Sequence, residues 1–231
     1  MFFQNFLKLP TITMGPAPAA HAVRRTDEPA PTYRSLLGET AWHRLDHAIR
    51  ARFGDDGTKR GFYGLMGTVR LSRAGRVLAL LARLFGTSLC PKTGRDIVTM
   101  IDVEGDTASA AGIWNRAYLF PAGRRFVVTS VKRFDPRDGL LECLGRGFVM
   151  RLNLKAERRA LHFISTGYAW HCGPLRVPLP HVLSPGETHV THRELGGGRF
   201  RFTLQIRHPW FGELVFQEGD FFEREDVPWK P

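Results

Sequence analysis

The amino-acid sequence predicts a mainly β protein. It reads as an antiparallel β-meander forming a closed or nearly closed, calycin-like barrel, with an N-terminal helix and one early inserted amphipathic helix. Three observations lead there. From Asp96 onward, strand-like segments follow one another with little between them. The connections are short turns such as "PAGR", "DPRDG" and "LGGGR", so neighbouring strands should pair antiparallel. Phe occurs 17 times in 231 residues, and aromatic side chains suit pleated, half-buried surfaces. An α+β fold, a curved sheet wrapped on a helix, is the alternative that the same pattern allows.

Residues 1–31 are rich in Pro and Ala and read as a flexible N-terminal leader, which leaves 32–231 as a single barrel-like domain. From Tyr33 to Phe53, Leu36, Leu37, Trp42, Leu45, Ile49 and Phe53 recur at helical spacing, and "GDDG" stops the pattern. "KRGFYGLMGTVRLSR" alternates but is Gly-rich, which predicts a bent or bulged strand. "AGRVLALLARLFGT" predicts an amphipathic helix over 74–86. Its apolar stripe is Val77, Leu80, Leu81, Leu84 and Phe85, with Arg73, Arg76 and Arg83 elsewhere and Gly86 as the stop. That stripe should pack on the core, with a lid over a cavity or a membrane-surface helix as the alternatives. About eight to nine strands make up the whole meander. In "RFRFTLQIR", Phe200, Phe202, Leu204 and Ile206 should face one way and the polar residues the other.

The net charge of +11 suits anionic partners, but the basic residues are scattered in pairs such as Arg24-Arg25, Lys132-Arg133 and Arg158-Arg159. No basic run and no nucleic-acid-binding pattern stands out, which argues against nucleic acid as a partner. Cys90, Cys143 and Cys172 are isolated, which argues against a disulfide framework or a zinc site and fits the cytoplasm. No apolar stretch reaches the roughly 20 residues of a membrane-spanning helix, and the N-terminus lacks the charged start and long apolar run of a signal peptide.

Read in order, "YRSLLGE", "LDHAIRARFG", Trp114-Asn115-Arg116, "GLLECLG", "GPLRVPLPHVL" and "FRFTLQIRHPWFGELVFQEGDF" resemble the bacterial domain-of-unknown-function family 4166. The likeness runs over residues 33–223. It implies a compact bacterial domain and no established activity. Two positions depart from the family's pattern. Leu45-Asp46-His47 stands where Leu-His-Pro is usual, and Gln217 stands where Tyr is usual.

Several residues are candidates for chemistry. His43 and His47 would share a helix face, but Arg44, Leu45 and Asp46 between them give no His-Glu-x-x-His pattern, so a solvated face is the better reading and no metal site is expected. Trp114 and Arg116 share one face of a strand. They could line a cavity in which Arg grips an anionic head and Trp walls an apolar body. Alternatively, Arg116 lies on the surface or pairs with an acid such as Glu142. Tyr168 and Trp210 complete the expected ligand-binding set, and Glu142 and His208 are the candidates for acid–base work. His208 lies beside a Pro209–Gly212 turn that needs no function to explain it. Cys172 near His171 and His181 has no recognisable Cys-His signature, and Cys143 reads as packing. No phosphate loop, dinucleotide fingerprint or serine elbow is present, so no cofactor is expected.

The sequence therefore points first to a non-enzymatic module binding an apolar or amphipathic, anionic small molecule or lipid in a barrel cavity. A cofactor-free isomerase or cyclase using the same pocket is the second expectation. A basic surface that meets acidic lipid or protein, with peripheral membrane contact, is the third. The sequence leaves the oligomeric state open.

Overall fold

Strand-forming segments after residue 60 join into one antiparallel sheet that returns on itself. The computed structural model describes residues 31–54, 60–84, 89–104 and 111–224. The leader expected over 1–31 therefore falls outside the described residues, except for Pro31 at its end.

The elements, in chain order, are α1 (Tyr33–Leu37), α2 (Glu39–Arg44), α3 (His47–Phe53), β1 (Arg60–Leu71), α4 (Arg73–Leu84), β2 (Gly94–Glu104), β3 (Gly112–Phe120), β4 (Arg124–Asp135), β5 (Gly139–Gly145), β6 (Phe148–Glu157), β7 (Ala160–Cys172), β8 (Leu175–Pro178), β9 (Glu187–Gly196), β10 (Arg199–His208) and β11 (Gly212–Arg224). The sheet runs β6-β5-β4-β3-β2-β1-β11-β10-β9-β7, and β6 pairs with β7 to close it. The result is a closed antiparallel barrel of 10 strands, with β8 added to β7 outside the ring. The strand count is thus higher than the sequence suggested. "GLLECLGRGFVMRLNL" folds as the hairpin β5–β6, and "WHCGPLRVPLPHVLSPG" contributes β8 and a 3-10 turn, His181–Leu183.

The β1–β11 seam shows how the chain closes. Its register slips between Leu65 and Thr68, the bulge expected for a Gly-rich strand. At the slip Gly219 faces β1, and a Cβ there would lie 2.5 Å from the Leu65 carbonyl oxygen, so the two backbones can approach only without a side chain. On β10, Phe200, Phe202 and Ile206 are buried in the interior while Arg199 and Arg207 face water.

One end of the barrel is plugged. Tyr33, Trp42, Leu45, Ile49 and Phe53 from α1–α3 and the link between them are all buried, each contributing about 1.5–3 kcal/mol. Phe53 stacks near Trp114 and meets His192 edge-on at 5.1 Å, and Tyr33 meets Phe163 edge-on. The single helix expected over 33–53 is three short ones. Gly38 takes φ 78 and Leu45 is extended, and the Asp46 N–H donates to the Arg158 carbonyl (2.8 Å) instead of continuing a helix. His43 and His47 therefore belong to different helices. His43 lies 3.1 Å from Glu39 on the surface.

The stripe expected to bury α4 also needs correction. The helix packs through Gly75 and Ala79, while Val77, Leu80 and Leu81 are exposed. Small residues let the helix backbone lie close to β11, and of the α4 leucines with a described side chain only Leu78 is half-buried against the core. Phe85 and Gly86, the expected helix end, lie outside the described residues.

Candidate functional site

Inward-facing side chains change character along the barrel. Beside the plug they are aromatic: Trp114, Phe163, Phe200 and Phe221 are all buried. Toward the other end the wall becomes Val128, Leu144, Met150, Val190, Leu204 and Ile206, and these enclose a cavity of about 270 Å³. A barrel of about eight strands has an interior just wide enough for side chains or one small ligand, so ten strands leave room. Leu78, Leu81 and Ala82 of α4, with Leu89, Leu179, Leu183 and Pro185, line the mouth.

Polar groups line this cavity in a few places. Arg116 of β3, Ser130 of β4 and Glu142 of β5 are brought together by strand register: Trp114 pairs with Ser130, and Glu142 pairs with Lys132. Lys132 Nζ lies 3.4 Å from Glu142 Oε2, with both side chains buried, and 4.8 Å from the Trp114 ring centroid. Burial pushes the Glu142 carboxyl up, but Lys132, then Arg116 and Ser130, outweigh it and hold the pKa below the usual value. Burial also lowers the Lys132 pKa, against the pull of Glu142. Further along β3 the Tyr118 hydroxyl donates to Gln217 Oε1 of β11 (2.9 Å), and on another wall the Tyr168 and Thr188 hydroxyls share a 2.7 Å bond. Burial pushes both tyrosine pKa values up to about 12.

Charge does not balance in this interior. Lys132 takes Glu142, and Arg52 takes Glu194 at 3.2 Å beside the plug. Among the described residues Arg116 has no carboxylate within ion-pair distance. The side chain is half-buried. Its Nη1 reaches Ser130 Oγ at 3.4 Å, its guanidinium lies 5.8 Å from the Phe202 ring, and its buried Nε has no hydrogen-bond partner. His192 is buried nearby and is held neutral: burial first, then Arg52, Lys132 and Arg116, lower its pKa well below the ordinary 6.5.

The structure brings three of the six candidate residues, Arg116, Glu142 and Tyr168, to the one cavity. Trp114 is on the same strand face as Arg116 but one layer deeper, against Phe53, His192 and Lys132. Trp210 does not line the cavity: it stands 70% exposed on the β10–β11 turn. His208 lines a second, more polar depression with His181, Arg151 and Arg207. It accepts the Trp210 N–H at Nδ1 (3.2 Å) and packs on Phe211, a structural use of the ring. Cys172 is exposed and free, and Cys143 packs with Leu141, Val149 and Ala169. Among the described residues no three His, Cys, Asp or Glu side chains gather as metal ligands.

Sequence reasoning missed Ser130, Lys132, Tyr118, Gln217 and Thr188. Tyr118 was within reach, because the inward period of Trp114 and Arg116 continues to it. The others depend on which strands become neighbours. The family model described as "Domain of unknown function (DUF4166)" matches residues 45–221. No curated protein matches the chain, and no solved structure does.

Proposed function

Since the chain belongs to this family, whose description names no activity, we propose from the geometry that it is a binding module for an amphipathic anion, held with its head on Arg116 and its apolar part against the aliphatic wall. The observation that carries this reading is the Arg116 guanidinium, half-buried at a mostly apolar cavity whose lining carboxylate, Glu142, is ion-paired to Lys132, and with a buried Nε that has no hydrogen-bond partner. A cation drawn out of water in this way is costly alone, and a carboxylate offers the planar, two-point match that a guanidinium accepts best. The cavity holds roughly nine groups of the size of a water, which suits a medium-length chain. Three free thiols fit a reducing compartment, and no described helix is long and apolar enough to cross a membrane.

A cofactor-free enzyme in the same cavity is the weaker reading. Glu142 is held ionised by Lys132, then Arg116 and Ser130, and Tyr168 is pushed up to about 12, so neither is poised near neutral pH for proton transfer. The test is native mass spectrometry of freshly purified protein, followed by calorimetric titration with an unlabelled medium-chain fatty acid and with the matching alcohol. Arg116→Met should weaken the acid by about ten- to hundredfold, the worth of a hydrogen bond to a charged group, and leave the alcohol unchanged. Equal affinity of wild type and variant for the acid would refute the reading.

A further inference from the structure

The open end of the barrel collects exposed apolar side chains from three separate elements. α4 turns Val77 and Leu80 outward, each 57% exposed, beside Leu81 at the mouth. The His181–Leu183 turn adds Val182 and Leu183, the latter 72% exposed and also at the mouth. The β10–β11 turn adds Trp210 and Phe211. These pieces adjoin. His181 and His208 line one depression, and the Ser72 N–H at the start of α4 donates to the Leu214 carbonyl just past the β10–β11 turn (3.0 Å).

Cations are interleaved with them. Arg73, Arg76 and Arg83 are exposed on α4, whose sequence RAGRVLALLARL contains no acid. Arg124 is exposed where β4 begins, at this same end of β3 and β4. A helix that served only the core would turn its long apolar side chains inward, whereas α4 buries Gly75 and Ala79 and leaves leucines and arginines outside together.

We propose that this rim docks on an anionic lipid bilayer, with the leucines and Trp210 in the interfacial layer, the arginines at the lipid phosphates, and the cavity mouth facing the acyl chains. Apolar side chains bordered by Arg on one short helix are the pattern of an interfacial helix, and Trp favours the headgroup level. The charge selects anionic over neutral lipid. The inference goes beyond the cavity reading and does not depend on it.

The experiment is co-sedimentation of the full chain with phosphatidylcholine vesicles, with and without about 30% phosphatidylserine. Binding is expected only with phosphatidylserine and should weaken as salt rises. Arg73→Ser and Arg76→Ser should each lower partition about fivefold, and Leu80→Glu with Trp210→Glu should abolish it. None of these four residues lines the cavity, so fatty-acid titration in solution should be unchanged and reports separately on the cavity reading. Absence of binding, equal binding to neutral vesicles, or binding that survives the Leu80→Glu/Trp210→Glu change would overturn the proposal. So would a self-association, seen by sedimentation without lipid, that the same changes abolish, because the rim would then be a contact between copies of this chain.

Discussion

Replacing Arg116 with Met should make the unliganded protein more stable while weakening its affinity for acids. Met matches the length and flexibility of the Arg stem and carries no charge. The substitution gives up a 3.4 Å bond to Ser130 and a distant approach to the Phe202 ring, together worth about 1–2 kcal/mol, and the attraction to Glu142, which relief of the repulsion from Lys132 offsets. Against them stands the cost of drawing a cation out of water, about several kcal/mol when burial is complete and less for a half-buried side chain. The net expectation is a gain of about 1–2 kcal/mol, and each kcal/mol raises Tm by about 2–4 °C in a chain of this size. Lys132→Met is the control. It removes the ion pair at 3.4 Å from buried Glu142 and should cost about 3–5 kcal/mol. Urea unfolding of both variants, ligand-free, decides the matter. If Arg116→Met destabilises as much as Lys132→Met, Arg116 is a structural member of the charge cluster and the reasoning is wrong.

Three other outcomes follow from the structure. His192 is kept neutral in the fold while the unfolded chain protonates near 6.5, so its contribution to stability is complete above about pH 6.5 and is lost as pH falls, with a slope of at most ~1.4 kcal/mol per pH unit. His192→Phe should flatten the loss of urea stability between about pH 7 and about pH 5, leaving the smaller slopes of His162 and His171, whose pKa values burial also lowers. Gly75→Ala would put a Cβ 1.9 Å from the Leu214 carbonyl oxygen, and forcing α4 off β11 should cost about 1–3 kcal/mol and speed ligand release in stopped-flow measurements. Leu204→Trp should fill the cavity, so calorimetric titration should find no fatty-acid binding while the far-ultraviolet circular dichroism stays that of the wild type.

How much was legible in the sequence depends on the distance over which each feature is decided. Strand periodicity is local, so the alternation of Phe200, Phe202 and Ile206 and the shared face of Trp114 and Arg116 could be read directly. The turns were legible for the same reason, and with them the antiparallel barrel. The direction α4 faces was not, because its stripe of large side chains outweighs Gly75 and Ala79 in any periodicity, and only the nearness of β11 makes the small residues the buried face. The break at Leu45 likewise depends on a bond from Asp46 to distant Arg158.

Sequence alone determined a mainly β chain, its approximate strands, and a family with residues 45–221 in its pattern. Tertiary structure decided that ten strands close rather than curl, that α1–α3 plug one end, and that Lys132 rather than Arg116 takes Glu142. The reason is physical. Closure and charge pairing are set by cross-strand register between segments far apart in the chain, and a slip of one residue in that register would turn Arg116 from the cavity to the solvent.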